Sequence, residues 1–192
     1  MHVAMMLYPG FRLLEVTRPM DVFHEANRLG GEMLYEQHLV GPSPGPVLCS
    51  SGVAVGTTDT LSDAQTSFDI VVVPGSPVIN SRLEHCELVD WLSDAGPRVR
   101  RLASVSNGAF LVARAGLADH HALTTNCRDA QRLSAEYPLV HVMSDQHYLK
   151  DGNLYSSCGV SDGMQLALAL VREDLGEDFA RSIARSLSRQ RE

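Results

Sequence analysis

The sequence has few of the features that mark metal-binding, secreted or membrane-spanning chains. Its four cysteines form no CxxC pair, which argues against a zinc knuckle or a redox dithiol and favours reduced thiols in the cytoplasm. No apolar run approaches the roughly 18 residues of a membrane span. No basic segment precedes the first apolar residues, as it would in a secretory signal. We therefore expect a cytoplasmic protein with neither a membrane nor a cofactor as a partner.

An excess of positive charge is also missing. The 192 residues carry 16 Lys and Arg against 23 Asp and Glu, a net charge of −7, so no global positive field concentrates phosphate backbones around the chain. The cluster Arg98, Arg100 and Arg101 is interpreted as a solvated edge. Any DNA must therefore be contacted by an additional domain. Length and composition predict one domain over residues 1–192.

Strands alternate with helices along the chain. Apolar runs that end in turn residues predict strands at 2–8, 35–40, 68–73, 101–105, 141–144 and 154–156, and a small edge strand at 53–55. A spacing near 3.6 predicts helices at 12–29, 84–95, 109–115, 159–175 and 177–187. Pro19 is expected to break or kink the first helix. The alternation predicts an α/β fold, a doubly wound and mostly parallel sheet sandwiched by helices.

The segment Ser104-Val105-Ser106-Asn107-Gly108 joins a predicted strand to a predicted helix through a sharp turn. A residue on such a turn points into the crevice at the carboxyl ends of the strands, where backbone N–H groups can hold an oxyanion. We expect Glu15, Gly75-Ser76 and Ser106-Asn107 to converge at this edge. We call the turn around Ser106 the elbow.

At these residues the chain resembles the ThiJ/PfpI superfamily, of the class I glutamine-amidotransferase-like fold, and within it the sensory halves of AraC-type (GlxA-like) regulators. The resemblance covers nearly the whole chain. It rests on residues 15–23, Val72-Val73-Pro74-Gly75, Ser104 to Leu111, Leu117-Ala118-Asp119, Ala122-Leu123-Thr124-Thr125 and, nearer the end, Tyr137-Pro138, Asp151-Gly152-Asn153 and Ser156 to Gly163.

The resemblance implies roles for several residues. Glu15 matches an acid that hydrogen-bonds the elbow side chain, although an acid near a helix N-terminus is also favoured by the dipole. Gly75 before Ser76 matches a turn whose amide completes an oxyanion pocket, although a turn glycine is also needed wherever φ is positive. A homodimer is implied as well. Asp162 is interpreted as a helix-capping residue beside Ser161.

Two departures from the family pattern decide the predicted function. Ser106 stands where the enzymes carry a cysteine, and Asn126 where many carry a histidine. A thiol is partly ionised near neutral pH, whereas a serine hydroxyl needs a positioned base. His120 or His121 is an alternative base, and Cys127 is an alternative nucleophile or a small buried residue. We expect the elbow to have lost catalysis.

Three functions are compatible with these residues. The first is a non-catalytic sensor that binds a small polar metabolite through Glu15, Gly75, Ser76, Ser106, Asn107 and Asn126, as part of an AraC-type regulator. The second is an enzyme of the isocyanide-hydratase, amidase or glyoxalase-like branches that uses Ser106 and Glu15. The third is a structural dimerisation module with an empty crevice.

Overall fold

The computed structural model describes residues 1–63, 68–79, 85–144 and 146–189. The strands are β1 (His2–Met6), β2 (Glu36–Gly41), β3 (Pro46–Leu48), β4 (Ala54–Gly56), β5 (Asp59–Thr60), β6 (Ile70–Val73), β7 (Arg101–Val105), β8 (Ala122–Leu123), β9 (His141–Val142), β10 (Tyr148–Asp151) and β11 (Leu154–Ser157). The helices are α1 (Leu13–Gly30), α2 (Cys86–Ala95), α3 (Ala109–Arg114), α4 (Cys127–Glu136), α5 (Val160–Leu175) and α6 (Glu177–Arg189).

Seven of these strands form the main sheet, in the order β10-β11-β7-β6-β1-β2-β5. Every neighbouring pair is parallel except β10 and β11, which form an antiparallel hairpin at one edge. The chain leaves β1 towards β2 but leaves β6 in the opposite direction, towards β7. Because parallel crossovers are right-handed, α1 and α2 lie on opposite faces. The predicted doubly wound, mostly parallel α/β sandwich is confirmed.

The core lies around the central strands. All four residues of β6 and the last four of β1 are fully buried, as apolar runs covered by helices on both faces should be. On one face α1 packs with α5 and α6, and elsewhere α2 packs with α3. No helix in the described part of the chain is both long enough and apolar enough to span a membrane.

The first helix continues through Pro19, so the predicted break is wrong. α1 runs without interruption over 18 residues to Gly30. The C-cap is Gly31, whose backbone is left-handed (φ 71°) and whose N–H donates to Asn27 O at 3.0 Å. Pro19 is buried, and α1 packs along both α5 and α6. This packing compensates for the one hydrogen bond that proline removes.

Other predicted elements differ in position or number. The predicted edge strand at 53–55 is β4, which pairs with β3 in a separate hairpin. β7 has the predicted bounds, whereas β3, β5, α4, β8 and β10 were not predicted. α2 begins at Cys86, and Glu84 lies outside the described residues.

The interpretation of the arginine cluster as a solvated edge is wrong for Arg101. Its side chain is buried and lies 2.9 Å from both carboxylate oxygens of Asp174, on α5. Tyr35 donates its hydroxyl to the same carboxylate at 2.9 Å. Arg98 and Arg100 are exposed as expected, and Arg98 forms an ion pair with Asp94. Arg101 points inward because β7 is buried along its whole length.

Candidate functional site

Ser106 lies immediately after β7, at the carboxyl edge of the sheet. It is the first residue of a short 3-10 turn, Ser106–Gly108, which leads directly into α3. Its φ is 54°, one of few positive values at a residue other than glycine. Such a conformation costs on the order of 1–3 kcal/mol and persists only where the surroundings impose it. The predicted sharp elbow is therefore present.

The turn packs closely against the end of β6. A Cβ atom on Gly108 would collide with the carbonyl oxygens of Val73 and Pro74. Gly108 is thus required for close approach of two backbones. The carbonyl of Ser106 is also fixed, because the buried Thr125 donates its hydroxyl to it at 2.9 Å.

The Asn107 side chain and the Ser76 backbone form two hydrogen bonds across the edge of the sheet, which we call the Asn107–Ser76 clamp. The Asn107 side chain accepts from Ser76 N–H at 2.9 Å and donates to Ser76 O at 2.8 Å. The Ser76 hydroxyl donates to Gly10 O at 2.6 Å. Both side chains are buried, and the hydrogen bonds that each forms here are to backbone groups. They hold the loops together in this structure, whereas the sequence predicted them as ligand contacts.

Glu15 lies in the first turn of α1 and is fully buried. Its Oε2 atom accepts a hydrogen bond from Gly75 N–H at 2.6 Å. The Gly75 amide, which the family resemblance assigns to an oxyanion pocket, therefore already has an acceptor. A Cβ on Gly75 would collide with Asn107 Oδ1 and Glu15 Oε2. Gly75 does not have a positive φ, so close approach, and not backbone conformation, requires glycine here.

The environment of Glu15 makes it the most perturbed acid of the site. Burial raises its pKa to about 7, and the Gly75 N–H, the Arg12 guanidinium and the Ser106 hydroxyl each oppose that rise. Arg12 Nε lies 3.8 Å from Oε1. The Ser106 contact falls short of a standard hydrogen bond, because Oε1 has no such partner among the described residues. Glu15 is therefore present in both protonation states near neutral pH.

Asn126 is the second side chain that contacts Ser106, and it also caps α4. Its Oδ1 accepts from Asp129 N–H at 3.0 Å, and its Nδ2 donates to Asp129 Oδ2 at 2.7 Å. The same Nδ2 donates to Ser106 Oγ at 3.3 Å. Asparagine is a preferred N-cap residue, and Asn126 could therefore have predicted the start of α4. An amide in this position cannot take a proton from the serine.

The alternative bases are not at the elbow. His121 Nδ1 lies 3.3 Å from Asp151 Oδ2, at the end where β11 begins. Ser106 follows Val105, which pairs with Ser157 at the opposite end of β11. His120 is exposed. The structure therefore does not bring either histidine to Ser106.

Two further interpretations are wrong. Cys127 is exposed as the first residue of α4, so it is not a small buried residue. Asp162 does not cap α5, because the N-cap is Gly159 and no side chain caps it. Asp162 instead lies 3.1 Å from His147 Nδ1. The nearby Cys158 thiol has a raised pKa, chiefly because of burial, which reduces its reactivity at neutral pH.

An open cavity of about 570 Å³ lies at the carboxyl end of β1. Its lining includes Tyr8, Pro9, His85 and Leu88, and none of the six residues predicted to bind a ligand. Tyr8 donates its hydroxyl to Pro74 O at 2.6 Å, one residue before Gly75. The cavity is thus linked to the elbow by the contact of Tyr8 with the loop that follows β6. The sequence did not predict the cavity, because its lining residues come from several loops that are far apart in the chain.

Regulators and an enzyme are both similar to the chain. It is 26% identical to the HTH-type transcriptional regulator GlxA of Rhizobium meliloti (strain 1021) over 95% of this chain and 56% of that protein. It is 26% identical to the isonitrile hydratase of Pseudomonas putida over 95% of this chain and 76% of that protein. The chain thus spans about half the length of the regulator.

Solved structures share the fold over nearly the whole chain. A crystal structure of an AraC family transcriptional regulator from Pseudomonas putida superimposes with a TM-score of 0.86 at 25% identity, covering 97% of this chain and 98% of that one. Drosophila melanogaster DJ-1beta superimposes with a TM-score of 0.81 at 23% identity, covering 97% and 96%. The DJ-1/PfpI family matches residues 1–173, so the chain belongs to the DJ-1/PfpI family.

Proposed function

We propose that this chain is the small-molecule-sensing domain of an AraC-type transcriptional regulator and that its elbow does not catalyse a reaction. One observation carries the proposal: the elbow keeps its strained backbone, but Ser106 Oγ is contacted by the Asn126 amide, which is not a base. The similarity to regulators about twice as long supports it. DNA is then contacted by an additional domain, and the protein acts in the cytoplasm as a homodimer.

The proposed ligand is a small polar metabolite. Ser106 and Asn126 offer a hydroxyl and an amide, and Glu15 behind them accepts a hydrogen bond in its charged form or donates one when protonated. Gly75, Ser76 and Asn107 act indirectly in this proposal, because they fix the loops on which these groups stand. A ligand that orders this edge can transmit its binding through α1 and α4.

A thermal-shift screen with amino acids, amines and short carboxylates tests the proposal. A ligand at about 100 times its Kd stabilises the folded state by about 2.7 kcal/mol, which raises Tm by roughly 5–10 °C for a chain of this size. Ser106→Ala and Asn126→Ala should each reduce the shift. Ser134→Ala, an exposed serine on α4, is the control and should leave it unchanged.

Two outcomes of the screen would contradict the sensor. If no compound shifts Tm, the structural dimerisation module is favoured. If a compound shifts Tm equally in the wild type and in both elbow variants, the ligand binds elsewhere. Asn126→Ser keeps a good helix cap without placing a second carboxylate beside Asp129, so it distinguishes a lost ligand contact from a destabilised α4.

The enzyme is the second candidate, and the buried Glu15 favours it. A carboxyl with a pKa of about 7 beside a strained serine has the proton affinity of a general acid or base near neutral pH. The similarity to an isonitrile hydratase points the same way. Assays with isonitriles, amides and 2-oxoaldehydes test it. Turnover that Ser106→Ala abolishes would replace the sensor proposal, and absence of turnover would remove the enzyme.

A further inference from the structure

A second cluster of polar side chains lies at the amino edge of the sheet, away from the elbow. β1 and β2 are parallel, with His2 opposite Glu36 and Ala4 opposite His38. Because side chains alternate along a strand, Glu36 and His38 project from the same face, and His2 lies beside them. We call His2, Glu36 and His38 the amino-edge cluster.

The donor atoms of this cluster are close to the spacing of metal ligands. His2 Nδ1 and His38 Nε2 are 3.2 Å apart. In a tetrahedral site with bonds of about 2.0–2.1 Å, neighbouring ligand atoms are about 3.3 Å apart. Glu36 Oε2 lies 3.7 Å from His2 Nδ1, and Glu36 Oε1 lies 3.9 Å from His38 Nε2. Only the Glu36 side chain, which is 55% exposed, needs to move.

An outer carboxylate orients His38. Its Nδ1 lies 2.9 Å from Asp59 Oδ2, which also accepts the Thr58 hydroxyl at 2.7 Å. A carboxylate accepts a hydrogen bond only from a protonated ring nitrogen, so a neutral His38 keeps its lone pair on Nε2, facing His2 and Glu36. Metal-binding histidines commonly have such a carboxylate partner. This contact distinguishes the cluster from a chance pair of surface histidines.

The surroundings suit a cation that remains partly open to water. Glu36 and Asp59 place two carboxylates around two imidazoles. When both histidines are neutral, the amino-edge cluster together with Asp59 therefore carries a negative charge. The centroids of the Phe68 and His38 rings are 5.4 Å apart, and the His38 side chain is only 16% exposed. The His2 side chain is 42% exposed, which leaves room for water as a fourth ligand.

We propose that His2, Glu36 and His38 bind one divalent transition-metal ion of the class that prefers imidazole nitrogen, Zn²⁺ in the first instance. Two nitrogen donors out of three disfavour Mg²⁺ and Ca²⁺, which select oxygen. The ion would join the first residue of β1 to β2. This site is independent of the proposed sensor function, which concerns the opposite edge of the sheet.

Zinc titration of the full chain tests the proposal. The protein is prepared without a histidine tag and without added N-terminal residues, because the Met1 amino group donates to Leu34 O beside the cluster. Isothermal calorimetry or equilibrium dialysis should show one ion per chain. His2→Gln and His38→Gln should each weaken binding at least tenfold. Asp59→Asn should weaken it about 10- to 100-fold by releasing the orientation of His38.

His24→Gln is the matched control, since His24 is an exposed histidine on α1, and it should bind as the wild type does. Co²⁺ provides a second readout, because a visible ligand-field band of four-coordinate intensity should appear and be lost in His2→Gln. His2 is half exposed, so this variant keeps the test valid if His38→Gln fails to fold. Absence of saturable binding, or equal weakening in His24→Gln and His2→Gln, would show that the 3.2 Å contact is only a hydrogen bond.

Discussion

Among single residues, Glu15 carries an energetic cost that its partners only partly offset. Its carboxyl is fully buried on α1, with one charge-assisted hydrogen bond from Gly75 N–H and Arg12 Nε 3.8 Å away. Burial outweighs these contacts, so the pKa lies near 7. The carboxyl therefore favours the folded state most when it is protonated.

The stability of the protein should consequently fall as pH rises from about 4.5 to about 7. The folded state keeps the Glu15 proton over this interval and the unfolded state, with its pKa near 4.5, does not. A pKa raised from about 4.5 to about 7 corresponds to about 3 kcal/mol. Glu15→Gln should remove this component, as measured by urea unfolding at about pH 5 and about pH 8.

Glu32→Gln, an exposed glutamate after α1, is the control for that experiment. The difference between the wild type and Glu15→Gln should change by about 2.5 kcal/mol between the two pH values, and the corresponding difference for Glu32→Gln should change much less. An identical pH dependence in the wild type and in Glu15→Gln would contradict a raised pKa at Glu15.

The sequence predicted which residues meet at the elbow, but not what they do there. Parallel strands deliver their carboxyl ends to one edge, so the convergence of Glu15, Gly75 and Asn107 follows from the fold. Their pairing does not, because it joins positions 60 and 31 residues apart. The same long-range packing decides that Gly75 is needed for close approach, and that Asn126 serves both α4 and Ser106.

At the scale of elements, a buried ion pair joins the sheet to its helical layer. Arg101 on β7 and Asp174 on α5 are both nearly inaccessible, and Tyr35, just before β2, donates to the same carboxylate. Removing one partner from a buried pair leaves an uncompensated charge. The pair and Tyr35 therefore couple β7, α5 and the residue that precedes β2, which lie far apart in the sequence.

Arg101→Met should destabilise the protein by about 3–5 kcal/mol, and Arg101→Met combined with Asp174→Leu should recover much of that loss. Urea unfolding of both single variants and the double variant gives the coupling energy. The exposed pair Arg98–Asp94 is the matched control, and Arg98→Met should cost less than about 1 kcal/mol. Equal costs at both positions would contradict the importance of burial.

Elements with strong local patterns were predicted well, and those that depend on tertiary contacts were not. β7 has the predicted bounds because it is a continuous buried run before a turn. β10 mixes polar and apolar residues, so its own pattern does not mark it as a strand, and only the hairpin-type turn Asp151-Gly152-Asn153 that joins it to β11 was recognised. α4 has an exposed polar face and few apolar residues, which hid its periodicity. α1 continues through Pro19, and its packing against α5 and α6 could not be predicted from the local sequence.

For the whole molecule, the two proposed sites lie at opposite edges of one sheet. β1 begins at the amino-edge cluster, and the loop after it accepts the Ser76 hydroxyl at Gly10, beside the elbow. Five residues of strand separate the two edges by about 15 Å. Sites at this distance without shared partners contribute to stability almost independently.

The effects of zinc binding and of a substitution at the elbow on the free energy of unfolding should therefore be additive. Ser106→Ala should leave zinc affinity within about twofold of the wild type, and zinc should raise the free energy of unfolding of both proteins equally within about 0.5 kcal/mol. Calorimetry and urea unfolding with and without zinc measure the two quantities. A larger difference would indicate that the two edges are coupled through β1.

The way the elbow is held has a consequence for how such a scaffold changes over evolutionary time. Thr125 fixes the carbonyl of residue 106, the Asn107–Ser76 clamp fixes the next residue, and Gly108 allows close contact with β6. None of these interactions uses the side chain at position 106. A lineage can therefore exchange the reactive group at that position by single substitutions without redesigning its support.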